Sequence, residues 1–262
     1  MTTKSQYTTQ LQAGLGLLPE TRLLLRIWEP GMTSPVLYQA ALRSGEFPNV
    51  SARRLLNIIR ECFAPRYLVA EGQPARCLKQ LAHALAPTEL NQLLFLHTCR
   101  ANQILADFVR EVFWERYAAG DDKVTVDEAK AFVRRGVDDG KTAKRWSDST
   151  VKRVTSYLLG CCTDYGLLGK RTLSARAIIP YRIEAKVAAY LAHDLHFAGL
   201  GDNALLTHLD WQLFGLARED VRDELKRLSL QGHLILQSAG EITHIGWKHK
   251  TMEDLIGVLA EG

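Results

Sequence analysis

One segment constrains the fold of this chain more than any other: Lys141–Ile183, KTAKRWSDSTVKRVTSYLLGCCTDYGLLGKRTLSARAIIPYRI. Ser147 stands at a helix start. Val151, Val154, Leu158 and Cys162 then recur at helical spacing, so Asp148–Tyr165 reads as one helix with a single apolar stripe. Gly166 closes it as a left-handed cap. Leu167–Leu173 and Ala177–Ile183 read as paired strands, with Gly169, Lys170, Arg171, Ser174 and Arg176 in the connecting region. Pro180 has no N–H to give to a ladder, so its strand is expected at an edge.

A helix and then a hairpin, both carrying positive charge, is the outline of a winged-helix module facing a phosphate backbone. Charge is the second constraint. The whole chain is only +4. Between Lys141 and Arg176, Lys141, Lys144, Arg145, Lys152, Arg153, Lys170, Arg171 and Arg176 face only Asp148 and Asp164, a local excess of +6. A nucleic-acid surface must come from such clustering and not from the total. A helix N-terminus offers free N–H groups and a positive dipole end. Ser149 and Thr150 are short donors suited to backbone oxygens. Lys144, Arg145, Lys152 and Arg153 are therefore expected to supply phosphate contacts, with Lys170 and Arg171 acting from the wing.

A weaker basic patch lies upstream. Ser34, followed by Pro35, and Ser51 read as the starts of two helices separated by the turn-rich Ser44–Asn49, a helix-turn-helix outline. Arg53 and Arg54 lie on the polar side of the second helix and are further candidates for DNA contact. Cys77–Leu85, Thr88–Cys99 and Asn102–Ala118 read as helices; Ile104, Phe108, Val112, Phe113 and Trp114 give the last a broad core-facing side. Thr125 and Glu128 fit a capping box opening another helix.

After Glu184 the helical pattern returns, and Val221–Gln231 is followed by a second, less basic hairpin in LILQSAGEITHIGW. The expected fold class is mainly α, a helical protein with helix-turn-helix and winged-helix-like modules and short β-hairpin wings. The Gly120-Asp121-Asp122 turn divides an N-terminal helical domain, residues 1–120, from C-terminal winged-helix-like domains in residues 121–262.

The sequence carries few signatures of reactive chemistry. There is no G-x-x-x-x-G-K-[ST] loop, no G-x-G-x-x-G and no G-x-S-x-G. Asp138-Asp139-Gly140 lacks the spacing of a calcium loop. His193 and His196 stand one helical turn apart, but no third residue follows at a metal-binding spacing. Cys161-Cys162 lies inside an apolar stripe, where a thiol stays protonated and inert. The expectation is a protein that is not an enzyme, with no catalytic residues, no metal and no cofactor. The first twenty residues hold no apolar signal core, and no segment approaches the roughly 20 apolar residues that span a bilayer. Five cysteines without a C-x-x-C pair fit a reducing compartment. A cytoplasmic location without a membrane partner is expected.

The phrases ETRLLLRIWEPG, FAPRYL, LLFLHTCRAN, FVREVFWERY, WSDSTVKRVTSYLLGCCTDYGLL, AYLAHDLHFAGLGDNALLTHLDWQLFGL and GWKHKTMEDLI together resemble the BrxA family, an accessory component of BREX phage-defence systems. The resemblance runs from about Gly14 to Leu259. It implies a largely helical, non-catalytic protein that binds double-stranded DNA beside other BREX components, a methyltransferase and ATPases. The family also carries an inner-membrane label, against which the lack of a spanning run stands. Two other readings compete: a protein–protein adaptor within the defence complex, since winged helices serve both purposes, and an RNA-binding helical protein, for which the middle region lacks an aromatic and basic surface motif.

Overall fold

The computed structural model describes residues 6–13, 16–172, 174–239 and 242–261. The chain is mostly helical, with small antiparallel sheets. It forms two compact units, Met1–Arg76 with Leu94–Tyr181 and Cys77–Leu93 with Arg182–Gly262.

In the first unit, Leu18–Ile27 and Ser34–Ser44 are followed by a longer helix made of Ala52–Asn57, a π-helical stretch Ile58–Phe63 and Ala64–Tyr67. Pro65 has no N–H to continue the ladder, and the helix widens immediately ahead of it. Ser51 caps this helix, its Oγ accepting from the Arg54 N–H at 3.2 Å. The Ser34–Ser44 helix starts one residue earlier than Ser34 capping requires, with Thr33 at the N-cap.

Gln103–Phe108 likewise runs through a π stretch, Val109–Phe113, into Trp114–Ala118. Three short strands and two helices follow in the same unit: β1 (Lys123–Thr125), Val126–Asp138, Asp148–Asp164, β2 (Leu168–Arg171) and β3 (Ala175–Ile178). The Thr125–Glu128 capping box is present in full. The buried aromatics are packing groups: Phe108 and Phe132 meet edge to face at 5.5 Å.

The sheet order is β1-β3-β2, all antiparallel. Here the structure corrects the edge expectation. β3 is the central strand, pairing Val124 with Arg176 on one side and Leu168 with Ile178 on the other. It ends at Ile178, so Pro180 never has to donate to either neighbour.

The second unit contains the helices Ala185–Phe197, Asp202–Leu206, Arg218–Leu230 and Met252–Glu261, with β4 (Leu234–Ala239) and β5 (Ile242–Trp247) paired antiparallel. Trp211, Phe214, Tyr190 and Leu225 fill its core. Asp202 fastens the hairpin, accepting from the Ile245 N–H at 3.1 Å and pairing with His244 at 3.3 Å.

Candidate nucleic-acid interface

The Asp148–Asp164 helix is built as its sequence implies. Ser147 Oγ accepts from the Thr150 N–H at 3.3 Å, and Val151, Val154, Leu158 and Cys162 are buried. Gly166, at φ 83°, turns the chain toward β2. Burial fixes which side faces out: Lys152 and Arg153 are exposed, on the polar side of the first turns.

The eight positive residues of the segment are not equivalent. Lys141 donates to the Tyr7 hydroxyl at 3.1 Å and lies 3.7 Å from Glu111 and 3.8 Å from Asp107. Arg145 pairs loosely with Asp138 at 3.6 Å. Arg176 is half-buried and donates to the Thr163 hydroxyl. Lys144, Lys152, Arg153 and Lys170 are exposed and have no carboxylate partner among the described residues. Arg153 Nη2 reaches only the Thr150 hydroxyl, at 3.5 Å. The Arg171 side chain and all of Leu173 lie outside the described residues.

Ser149 and Thr150 follow the cap in the first turn of the helix. Ser147 Oγ is 3.0 Å from Ser149 Oγ and 3.1 Å from Thr150 Oγ1, which gathers three hydroxyls at the helix start. Asp148, the single acid there, is engaged by Arg134 at 2.9 Å. That hydrogen bond, together with the guanidinium charge, holds its carboxyl below the usual range.

Arg53 and Arg54 do not join this patch. Arg53 is exposed and Arg54 half-buried. Arg54 lines an open groove of about 450 Å³ together with Glu20 and Asp164. Asp164 is the last residue of the helix whose other end carries Lys152 and Arg153. At 1.5 Å rise per residue, Arg54 therefore sits ~18 Å along that helix from Lys152, among acids.

Sequence reading missed Lys130. It lines a small cleft with Lys152 and Arg176, brought there by the packing of the Val126–Asp138 helix against the Asp148–Asp164 helix. No local pattern in VDEAKAFVRRGV distinguishes it from an ordinary solvated lysine.

The second helix-and-hairpin region is charged differently. On Arg218–Leu230, Arg222 pairs with Glu219 at 3.0 Å, Lys226 with Asp223 at 2.8 Å and Arg227 with Glu224 at 2.7 Å. Arg218 reaches Asn203 Oδ1 at 3.4 Å. Nearby, His193 is fully buried. A carbonyl can only accept, so the 2.8 Å contact to Ala189 O puts the proton on Nδ1. Burial, reinforced by the neighbouring His249, His233 and His196, presses its pKa down to about 4. His196 stacks on Trp247 at 4.2 Å. Among the described residues no group of three or more His, Cys, Asp or Glu is placed to hold a metal ion. Cys161 and Cys162 are buried; desolvation pushes the Cys161 thiol up to about 12 and holds the Cys162 thiol well above its ordinary value.

The protein is mostly helical, with a capped helix start and its exposed cations set in the unit that also holds a three-stranded sheet. The sequence profile of the BrxA family matches residues 5–194, and the chain belongs to that family. Membership implies a component of a BREX phage-defence system. The fold is similar to the crystal structure of an uncharacterized protein from Magnetospirillum magneticum. The TM-score is 0.58 at 18% identity, over 73% of this chain and 95% of that one. No curated protein matches. Among the described residues no helix is long and apolar enough to cross a membrane.

Proposed function

We propose that this chain is a non-catalytic, double-stranded-DNA-binding accessory protein of a BREX system, and that it grips phosphates through the start of the Asp148–Asp164 helix. The observation that carries the reading is the set of exposed cations without carboxylate partners, Lys144, Lys152 and Arg153, around the Ser147 cap, with Lys170 exposed on β2. A phosphate backbone meets there a dipole end, hydroxyl donors and charge that no internal acid already holds. Topology supports the placement. Strand, helix, helix, strand, turn, strand with sheet order β1-β3-β2 supports a winged-helix reading, in which the second helix would enter a groove and the β2–β3 turn would flank it. Lys170 and Arg171 then act from the wing, and Arg53 and Arg54 remain a separate, weaker patch.

The test is a duplex titration across salt concentrations with unrelated sequences. If about four phosphates are neutralised, the slope of log K against log salt is roughly −3.6. Lys152→Glu with Arg153→Glu should remove most of the binding while the circular dichroism spectrum stays unchanged; undiminished binding by that double variant would remove the site.

A second reading has its own observation. The Arg218–Leu230 helix satisfies its cations internally, so this winged-helix-like region suits contact with a protein partner, such as another BREX component, better than contact with DNA. Association that is insensitive to salt and independent of duplex would mark that role.

A further inference from the structure

Tyr7 lies in no helix or named strand, yet it is buried and meets three parts of the first unit at once. Its N–H donates to Lys141 O at 2.7 Å, and Tyr7 and Thr142 form a parallel β-bridge. Its hydroxyl donates to Asp107 Oδ2 at 2.8 Å and accepts from Lys141 Nζ at 3.1 Å. Asp107 is itself fixed, its Oδ1 accepting from Gln103 at 2.7 Å and from Arg110 at 3.3 Å. Burial, then the bond to Asp107, push the Tyr7 pKa up, so the hydroxyl stays a donor. The ring lies 6.2 Å from that of Phe132 and fills the space over Gly136, where an added Cβ would come within 2.5 Å of Cε2. Farther along, Leu11 is buried and the Gln10–Ala13 turn packs on the Asp148–Asp164 helix. The Gly16 N–H donates to Asp164 Oδ2 at 2.9 Å. One segment therefore touches both the loop ahead of that helix and its last residue.

The loop itself is short. Gly140, at φ 69°, follows the Val126–Asp138 helix, and the Lys141 N–H returns to Gly136 O at 2.9 Å. Only residues 142–146 then separate Lys141 from the Ser147 cap, and they include Lys144 and Arg145. Tyr7 holds this stretch where it starts, and the Arg134–Asp148 pair at 2.9 Å holds it where it ends. A loop ordered before its ligand arrives loses less conformational entropy on binding. We propose that Tyr7 is a positioning residue for the candidate DNA interface: it pins the loop before the Asp148–Asp164 helix and so presents Lys144 and Arg145 to phosphate. The inference rests on the DNA reading above and adds to it a residue that touches no phosphate. Lys141, held by Tyr7, Asp107 and Glu111, is the link between the two and not a contact.

The full chain is titrated with duplex DNA at several salt concentrations, below the melting transition of every variant. The set is wild type, Tyr7→Phe, Tyr7→Ala, Gly136→Ala, Lys144→Gln/Arg145→Gln, that pair combined with Tyr7→Ala, and Lys152→Glu/Arg153→Glu. Tyr7→Ala should weaken binding about three- to tenfold and lower the magnitude of the salt slope by about one to two. Gly136→Ala, which displaces the ring without removing it, should act in the same direction and runs the same cycle if Tyr7→Ala does not fold. Tyr7→Phe keeps the ring and the backbone bridge and should recover most of the affinity. In the Lys144→Gln/Arg145→Gln background Tyr7→Ala should have no further effect, because Tyr7 acts through those two side chains. Leu225→Ala, in the core of the second unit, controls for stability: it should lower the melting temperature and leave affinity unchanged. If Tyr7→Ala and Gly136→Ala bind duplex like wild type while Lys152→Glu/Arg153→Glu does not, the positioning role is overturned and the DNA reading survives. A Tyr7→Ala loss that persists undiminished in the Lys144→Gln/Arg145→Gln background overturns the role as well. If wild type does not bind duplex at any salt concentration, the DNA reading fails and the positioning role falls with it.

Discussion

The chain builds a helix followed by a β-hairpin twice, and the two versions differ in where their acids lie. On Asp148–Asp164 the outward cation Arg153 has no acid one turn away, and Asp148, four residues before Lys152, is taken up by Arg134. On Arg218–Leu230 three cations each have an acid three residues earlier. Each such pair contributes only a few tenths of a kcal/mol to the helix. Its effect on a phosphate is larger in consequence, because every paired cation brings a carboxylate that repels the ligand. The same outline therefore gives one face with exposed, unoffset positive charge and one that is close to neutral.

The comparison breaks most visibly under charge reversal. Lys152→Glu with Arg153→Glu should lower duplex affinity on the order of a hundredfold or more, whereas Arg222→Glu with Lys226→Glu should change it less than about twofold. Equal losses from the two pairs, in the same titration, would erase the distinction.

Acid should act on the second unit next. His193 has its folded pKa depressed to about 4 from an unfolded value near 6.5. As pH falls below about 6.5 the unfolded chain takes up a proton that the fold refuses. Stability is therefore fully present above pH 6.5, drains away as pH falls toward 4 and loses no more through this group below that. The limit is about 3 kcal/mol. Urea denaturation followed by tryptophan fluorescence at several pH values measures it, and His193→Phe should flatten that limb. His97 in the first unit is also held well below its ordinary value, by burial first and then by Arg100, and pushes in the same direction.

The caps give a smaller contrast. Ser147→Ala should cost about 1 kcal/mol, because the Thr150 N–H loses its acceptor. The second helix has Ala217 at the N-cap, with only the reverse bond from its N–H to Asp220 Oδ2 at 2.9 Å. Ala217→Ser should therefore stabilise by roughly 0.5 kcal/mol. Thermal melts would show both, and a shift of the same sign in the two variants contradicts the capping argument. The smallest effect tests the acids directly: Glu219→Gln with Asp223→Asn frees Arg222 and Lys226. Duplex affinity should then rise about two- to threefold at low salt, and an unchanged titration would show that pairing is not what silences this helix.

Much of the candidate interface was legible because its causes are local. Ser51, the Thr125–Glu128 box, Ser147 and Gly166 mark helix ends through bonds within a few residues, and they do so in the structure. The paired acids on Arg218–Leu230 could likewise be read from i,i+3 spacing. Other features were not legible, since their causes are distant in sequence. Lys123–Thr125 is a strand only because β3 lies beside it, and three residues carry no period of their own. Lys141 entered the charge count as a free cation, but Tyr7, Asp107 and Glu111 reach it from far along the chain.

By itself the sequence determined that the chain is mainly helical, where its capped helices begin, which segment concentrates positive charge, and its resemblance to a phage-defence family. The tertiary structure alone decided which of those charges stay unpaired. It also made β3 a central strand and brought Lys130 to Lys152 and Arg176. The physical reason is range. Caps and helical stripes come from residues within a turn or two of one another, whereas charge pairing and cavity lining depend on which surfaces meet once the helices pack.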